Sequence, residues 1–161
     1  MQASAPPIVL VHGLWLTPRS WGGWKERFES RGHRVLAPAW PRMQGEVEHV
    51  RRDPSALNGL GVREIVDHYA GVIRALERTP VIMGHSFGGL VTEPLLDRGL
   101  GATGVAISPA PVKGVLRLPS AEPRSGFPVP RNPANRNRTV QLTPKQFHYG
   151  FTNTRTTGHG F

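Results

Sequence analysis

Four short apolar runs and the helical stretches between them organise the first 108 residues. "PIVLV" (7–11) is a β-branched run closed by His12-Gly13, and "HRVLAPAW" (33–40) is ended by Pro38 and Pro41. "PVIMG" (80–84) and "TGVAIS" (103–108) complete the set. Each is a near-continuous apolar run rather than an alternating one, the pattern of strands buried on both faces. Thr17-Pro18 opens a helix that runs through "RSWGGWKERFES" and stops at Gly32. A cap residue followed by proline in the first turn is the usual helix start. Val62, Ile65, Val66, Tyr69, Val72, Ile73 and Leu76 recur at three- and four-residue steps, so 62–78 is the clearest amphipathic helix. A further helix follows over 86–98. Residues 41–60, with Pro54 and Gly59, read as a loop. Strand and helix alternating over short connections predict an α/β fold: a parallel sheet of about four strands with flanking helices and right-handed crossovers.

The pattern changes after Ser108. Residues 109–142 are proline-rich with no sustained periodicity. One more helix is expected over 143–152, with Thr143 as cap, Pro144 in the first turn, and Phe147 and Phe151 four apart. The polar, glycine-rich "NTRTTGHGF" (153–161) reads as a disordered tail.

Charge alters this picture little. The chain of 161 residues carries a net charge of +9. Residues 1–98 hold 12 Lys and Arg against 10 Asp and Glu, and residues 99–161 hold 8 against 1. The excess is scattered singly through the proline-rich part, with no basic helix face and no nucleic-acid-binding motif, so nucleic acid is not expected as a partner. The absence of cysteine removes disulfides and thiolate metal sites. The N-terminal apolar run is too short for a signal sequence, and no stretch approaches the roughly 20 apolar residues of a membrane span. A cytoplasmic protein without membrane contact is the expectation. The seven histidines are scattered without metal-ligand spacing, and "GHSFGG" lacks the lysine of a phosphate loop, so no metal or cofactor is expected.

Chemistry concentrates at "VIMGHSFGGL" (81–90). Gly84-His85-Ser86-Phe87-Gly88 is a G-x-S-x-G motif after a predicted strand and opening a predicted helix. That turn is tight, so small residues must flank the serine. Its hydroxyl is then held clear of the sheet at the positive end of a helix. A bland alternative is that the glycines merely permit a strand-to-helix turn, but the context favours Ser86 as a nucleophile. His12-Gly13 ends a strand expected beside the Ser86 strand. Backbone N–H groups of Leu14 or Trp15, with that of Phe87, would form an oxyanion hole. His12 itself reads as a brace for its loop, and His85 as a packing residue rather than a base.

"PPIVLVHGLW", "WGGWKERFESRGHRVLAPAWP" and "VIMGHSFGGLV" resemble the N-terminal part of the α/β-hydrolase superfamily, in its esterase, lipase and non-haem haloperoxidase-like branch. The resemblance implies a partial α/β-hydrolase fold, incomplete on its C-terminal side. Residues 1–112 would be the N-terminal half of the core and 113–152 the start of a cap or lid. It carries the nucleophile to Ser86 and the oxyanion donors to Phe87 and to Leu14 or Trp15. "APAWPR" departs from the family, where an acidic residue and a proline-glycine turn are common. The family's acid and histidine follow the serine on later loops. Here Glu93 and Asp97 fall on the helix after the elbow, Glu122 in the proline-rich part, His148 in the last helix and His159 in the tail. None follows an apolar strand that could close the sheet. The expectation is therefore a truncated serine hydrolase of small hydrophobic esters, lacking its acid and base and inactive or very weak alone. The alternatives are a non-catalytic fragment or a ligand-binding pseudoenzyme that keeps the pocket, and a haloperoxidase-like perhydrolase using the same serine. The sequence sets no oligomeric state.

Overall fold

The computed structural model describes residues 5–43, 47–111, 135 and 138–151. Most of the expected cap segment (113–134, 136, 137 and 152), residue 112 and the expected tail (153–161) lie outside the described residues, as do Glu122 and His159.

Four parallel strands form one sheet: β1 (Ile8–Val11), β2 (Val35–Leu36), β3 (Val81–His85) and β4 (Thr103–Ile107), in spatial order β2-β1-β3-β4. Val9 pairs with Leu36 on one side and Ile82 on the other, and Met83 with Val105. The helices are α1 (Gly22–Glu29), α2 (Val47–Arg52), α3 (Val62–Arg74), α4 (Phe87–Asp97) and α5 (Pro144–Phe151). The chain steps one way from β1 to β2 and the other way from β2 to β3 and β4. One crossover hand therefore places α1 on one face and α3 and α4 on the other.

The two faces make two cores. Val9, Val11 and Ile82 pack with Ile65, Val66, Tyr69, Ala70 and Ile73 of α3 and Val91 and Leu95 of α4. Ile8, Leu10 and Met83, the alternate positions, pack with Trp21 and Val35 beneath Phe28 of α1. The α3 stripe is as its periodicity predicts, except that the helix ends at Arg74 and Val62 is exposed. Tyr69, fully buried, donates its hydroxyl to the Pro38 carbonyl at 2.7 Å, and burial pushes its phenol pKa up. Tyr69→Phe would strand that carbonyl. A loss of about 1–2 kcal/mol is expected in urea unfolding.

Three segments differ from the sequence reading. The first predicted helix divides into a short 3₁₀ segment, Pro18–Trp21, and α1 from Gly22 to Glu29. The second strand is two residues long, not eight, because Pro38 and Pro41 cannot extend a ladder. Residues 41–60 contain α2 and a 3₁₀ turn, Pro54–Leu57, capped by Asp53, whose carboxylate accepts from the Ser55 amide at 3.0 Å. β4 pairs only with β3 among the described residues, and Thr103, Val105 and Ala106 are exposed.

Candidate functional site

The strand order reverses direction between β1 and β3, and in open α/β sheets the crevice at the carboxyl ends of two such strands is where ligands bind. His12-Gly13 follows β1 at that point and Ser86 follows β3. The two loops touch: a Cβ built on Gly13 would lie 3.2 Å from the Ser86 Cβ and 3.1 Å from the His85 carbonyl oxygen. Any larger residue at position 13 would have to push the two loops apart by a few tenths of an ångström.

Ser86 adopts φ 55° and ψ −119°, outside every region that a side-chain-bearing residue favours. Such a conformation costs about 1–3 kcal/mol and persists only where the surroundings over-determine it. They do so here. The Ser86 amide donates to the Ile107 carbonyl at 3.0 Å, and the Ser86 carbonyl accepts from the amides of Gly89 at 2.9 Å and Ala110 at 2.9 Å. Gly84 and Gly88 complete the turn. A Cβ on Gly84 would overlap the Gly88 carbonyl, and one on Gly88 would overlap the Val11 carbonyl. Ser86 is half-buried and caps α4, and the amide of Phe87 is the first of that helix. The first amides of a helix have no partner within it and carry its positive dipole end.

Residues 13–16 form a turn closed by the Leu16 amide on the Gly13 carbonyl at 3.4 Å. Trp15 occupies its third position at φ 58°, where glycine is usual. The Trp15 indole N–H donates to the Val140 carbonyl at 3.0 Å. Leu14 is exposed, and Trp15 and Phe87 are half-buried, giving the crevice an apolar rim.

His12 is 1% exposed. Its Nδ1 lies 3.1 Å from the Gly13 carbonyl oxygen, which can only accept, so the proton sits on Nδ1 and bare Nε2 is buried without a partner. Burial lowers its pKa to about 4, against a smaller raising effect of the Gly13 hydrogen bond. A neutral, fully buried imidazole in this position braces the loop. His85, at the end of β3, is half-buried.

The residue that sequence reasoning missed is Trp40. Its ring stacks on His12 at 4.9 Å and 17°, and tilts against Phe87 at 5.4 Å. It thereby joins the loop after β1 to the elbow. The loop carrying it, the "APAWPR" departure, is held by a two-pronged pair from Arg42 to Glu64 on α3 at 2.9 and 2.7 Å. The signal available was the large aromatic at the end of a strand in a chain with four tryptophans.

Among the described residues, no acid or histidine is hydrogen-bonded to the Ser86 hydroxyl. Glu93 and Asp97 are exposed on α4, and His148 is exposed on α5. No described group of three or more His, Asp or Glu could hold a metal ion, and no described helix is long and apolar enough to cross a membrane.

The sequence matches the alpha/beta hydrolase family over residues 8–159. The chain belongs to that family. The fold is similar to that of an extracellular α/β-hydrolase from a Paenibacillus species, with a TM-score of 0.66 and 21% identity, covering 89% of this chain and 58% of that one. A monoacylglycerol lipase from Paleococcus ferrophilus matches with a TM-score of 0.53 and 25% identity, over 81% of this chain and 50% of that one. Polyneuridine aldehyde esterase matches with a TM-score of 0.51 and 25% identity, over 65% and 40%. The chain thus spans about half the length of these hydrolases. No curated protein matches it in sequence.

Proposed function

We propose that the chain carries the nucleophile and oxyanion-binding half of a serine hydrolase acting on small hydrophobic carboxylic esters. The observation that carries this reading is the Ser86 backbone, held at φ 55° and ψ −119° at the start of α4. Strain that several hydrogen bonds maintain has a use where the strained residue bears a nucleophile. Ser86 Oγ attacks the ester carbonyl, the alcohol leaves, and an acyl-enzyme forms. The Phe87 amide and an amide of the Leu14-Trp15 turn receive the oxyanion. Fixed backbone donors need no reorganisation as that charge develops. His12 and Gly13 shape the donor turn, Gly84, His85 and Gly88 shape the elbow, and the apolar rim selects an uncharged acyl group. The esterase and lipase likenesses support an ester as substrate.

The described residues supply no base for Ser86. The chain is therefore expected to acylate slowly and turn over poorly on its own. Loss of a triad base costs on the order of a millionfold, with roughly 10³–10⁴ over water surviving from the remaining site. A fluorophosphonate probe should form one adduct at Ser86 by mass spectrometry, absent from Ser86→Ala. A folded wild-type sample that stays unlabelled under forcing probe concentrations would instead support a pseudoenzyme that keeps the crevice without chemistry.

A further inference from the structure

Residues 139–141 make three successive contacts with three separate elements. The Thr139 amide donates to Asn58 Oδ1 at 2.7 Å, beyond the 3₁₀ turn. The Val140 carbonyl accepts from the Trp15 indole at 3.0 Å, and the Gln141 side chain donates to the Arg51 carbonyl on α2. This stretch leads into α5, whose start is fixed by a reciprocal cap. The Gln146 amide donates to Thr143 Oγ1, and Gln146 Oε1 accepts from the Thr143 amide at 2.8 Å. It therefore runs as a strap from Asn58 and α2 to the turn beside Ser86, anchored on both sides of Val140.

The turn it reaches is the strained one. Trp15 holds φ 58° in a turn closed by a long hydrogen bond of 3.4 Å, so the turn's own bonding does little to maintain that conformation. Left-handed backbone at a bulky aromatic residue is a genuine outlier, costing on the order of 1–2 kcal/mol. The indole tether supplies what the turn lacks. Trp15 Nε1 can reach Val140 only while the backbone beneath it points the ring toward the strap.

We infer that Trp15 is a positioning residue: its tether to the 139–141 strap holds the 13–16 turn in the conformation that presents backbone donors beside Ser86. The inference rests on the proposed role of that turn in binding the oxyanion, but the tether itself can be tested without any chemistry at Ser86. The strap thus couples segments far apart in the chain to the geometry of the donor turn.

Two readouts separate the claims, hydrogen exchange of residues 13–16 and the second-order rate of fluorophosphonate labelling. Trp15→Phe keeps the ring and removes the donor, and Asn58→Ala frees the strap at Thr139. Each should raise exchange of the turn about tenfold while leaving β1 and β3 unchanged, and each should slow labelling about five- to tenfold. The double variant should be no worse than the more impaired single, because both act through one tether. Trp15→Gly, which removes the left-handed penalty, should label faster than Trp15→Phe. If Trp15 were only a pocket wall, glycine would be the worse replacement. Unchanged exchange in Trp15→Phe, or additive losses in the double variant, would overturn the inference. Faster exchange in a protein whose wild type never labels would uphold the tether and refute the nucleophile.

Discussion

Gly88→Ala is expected to destabilise the fold by about 3–5 kcal/mol, while the same substitution at Gly71 stabilises it by up to about 1 kcal/mol. Gly88 sits in the first turn of α4 with β1 directly behind it. Its added Cβ would overlap the Val11 carbonyl and lie 2.8 Å from the His12 carbonyl. Both are backbone atoms at the carboxyl end of β1, and neither can swing aside as a side-chain tip could. Relief requires α4 to lift from β1, and that movement breaks the contacts holding Ser86. Gly71 lies on the exposed side of α3 with nothing within 4 Å of its would-be Cβ. Alanine there only reduces the freedom of the unfolded chain and improves helix propensity. Domains of this size are stable by about 5–15 kcal/mol, so Gly88→Ala would lose a large part of the total. Urea unfolding of both variants beside the wild type measures the contrast. Equal effects would mean that the close approach of α4 to β1 does not constrain the fold.

The same glycine explains why the elbow was legible in the sequence and much of its surroundings was not. G-x-S-x-G is a local pattern: its glycines and serine lie within five residues, although the crowding that demands Gly88 comes from the end of β1 and leaves no mark in the spacing. The α3 stripe is equally local, since a period of three to four residues records which face is buried. Short elements leave weaker traces. α2, "VEHVRR", is six residues long and buries none of them, so it offers too short an apolar pattern to read. β2 shrinks to Val35–Leu36 although "VLAPAW" is apolar throughout, because Pro38 limits the ladder and apolar content does not set its length. Non-local contacts leave no trace at all. Nothing in the spacing of His12, Trp40 and Phe87 tells that three rings will stand in a row. Nor does anything near Trp15 announce its bond to Val140.

That aromatic row leads to a pH effect. Acidification from pH 7 to pH 4 is expected to remove about 3 kcal/mol of stability through His12 alone. Its pKa is about 4 in the fold and about 6.5 in the unfolded chain. Above 6.5 neither state holds the extra proton, and the full stability is present. Between 6.5 and 4 the unfolded chain takes a proton that the fold refuses, so stability falls by about 1.4 kcal/mol per pH unit. Below 4 both states are protonated and the loss is complete. The physical cause is where the charge would go. Nδ1 already donates to the Gly13 carbonyl, so the added proton must sit on Nε2, which is buried without an acceptor against Trp40. His12→Phe keeps an aromatic ring on Trp40 and removes the titration, at the expense of the Gly13 hydrogen bond. It should therefore be less stable than wild type at pH 7, and the gap should shrink by about 3 kcal/mol by pH 4. The other histidines are common to both proteins and cancel in the difference. Urea unfolding of the pair at pH 7, 5.5 and 4 reads it directly. Parallel curves would place the acid sensitivity elsewhere, whereas convergence would show that the brace beside the 13–16 turn holds only while His12 stays neutral.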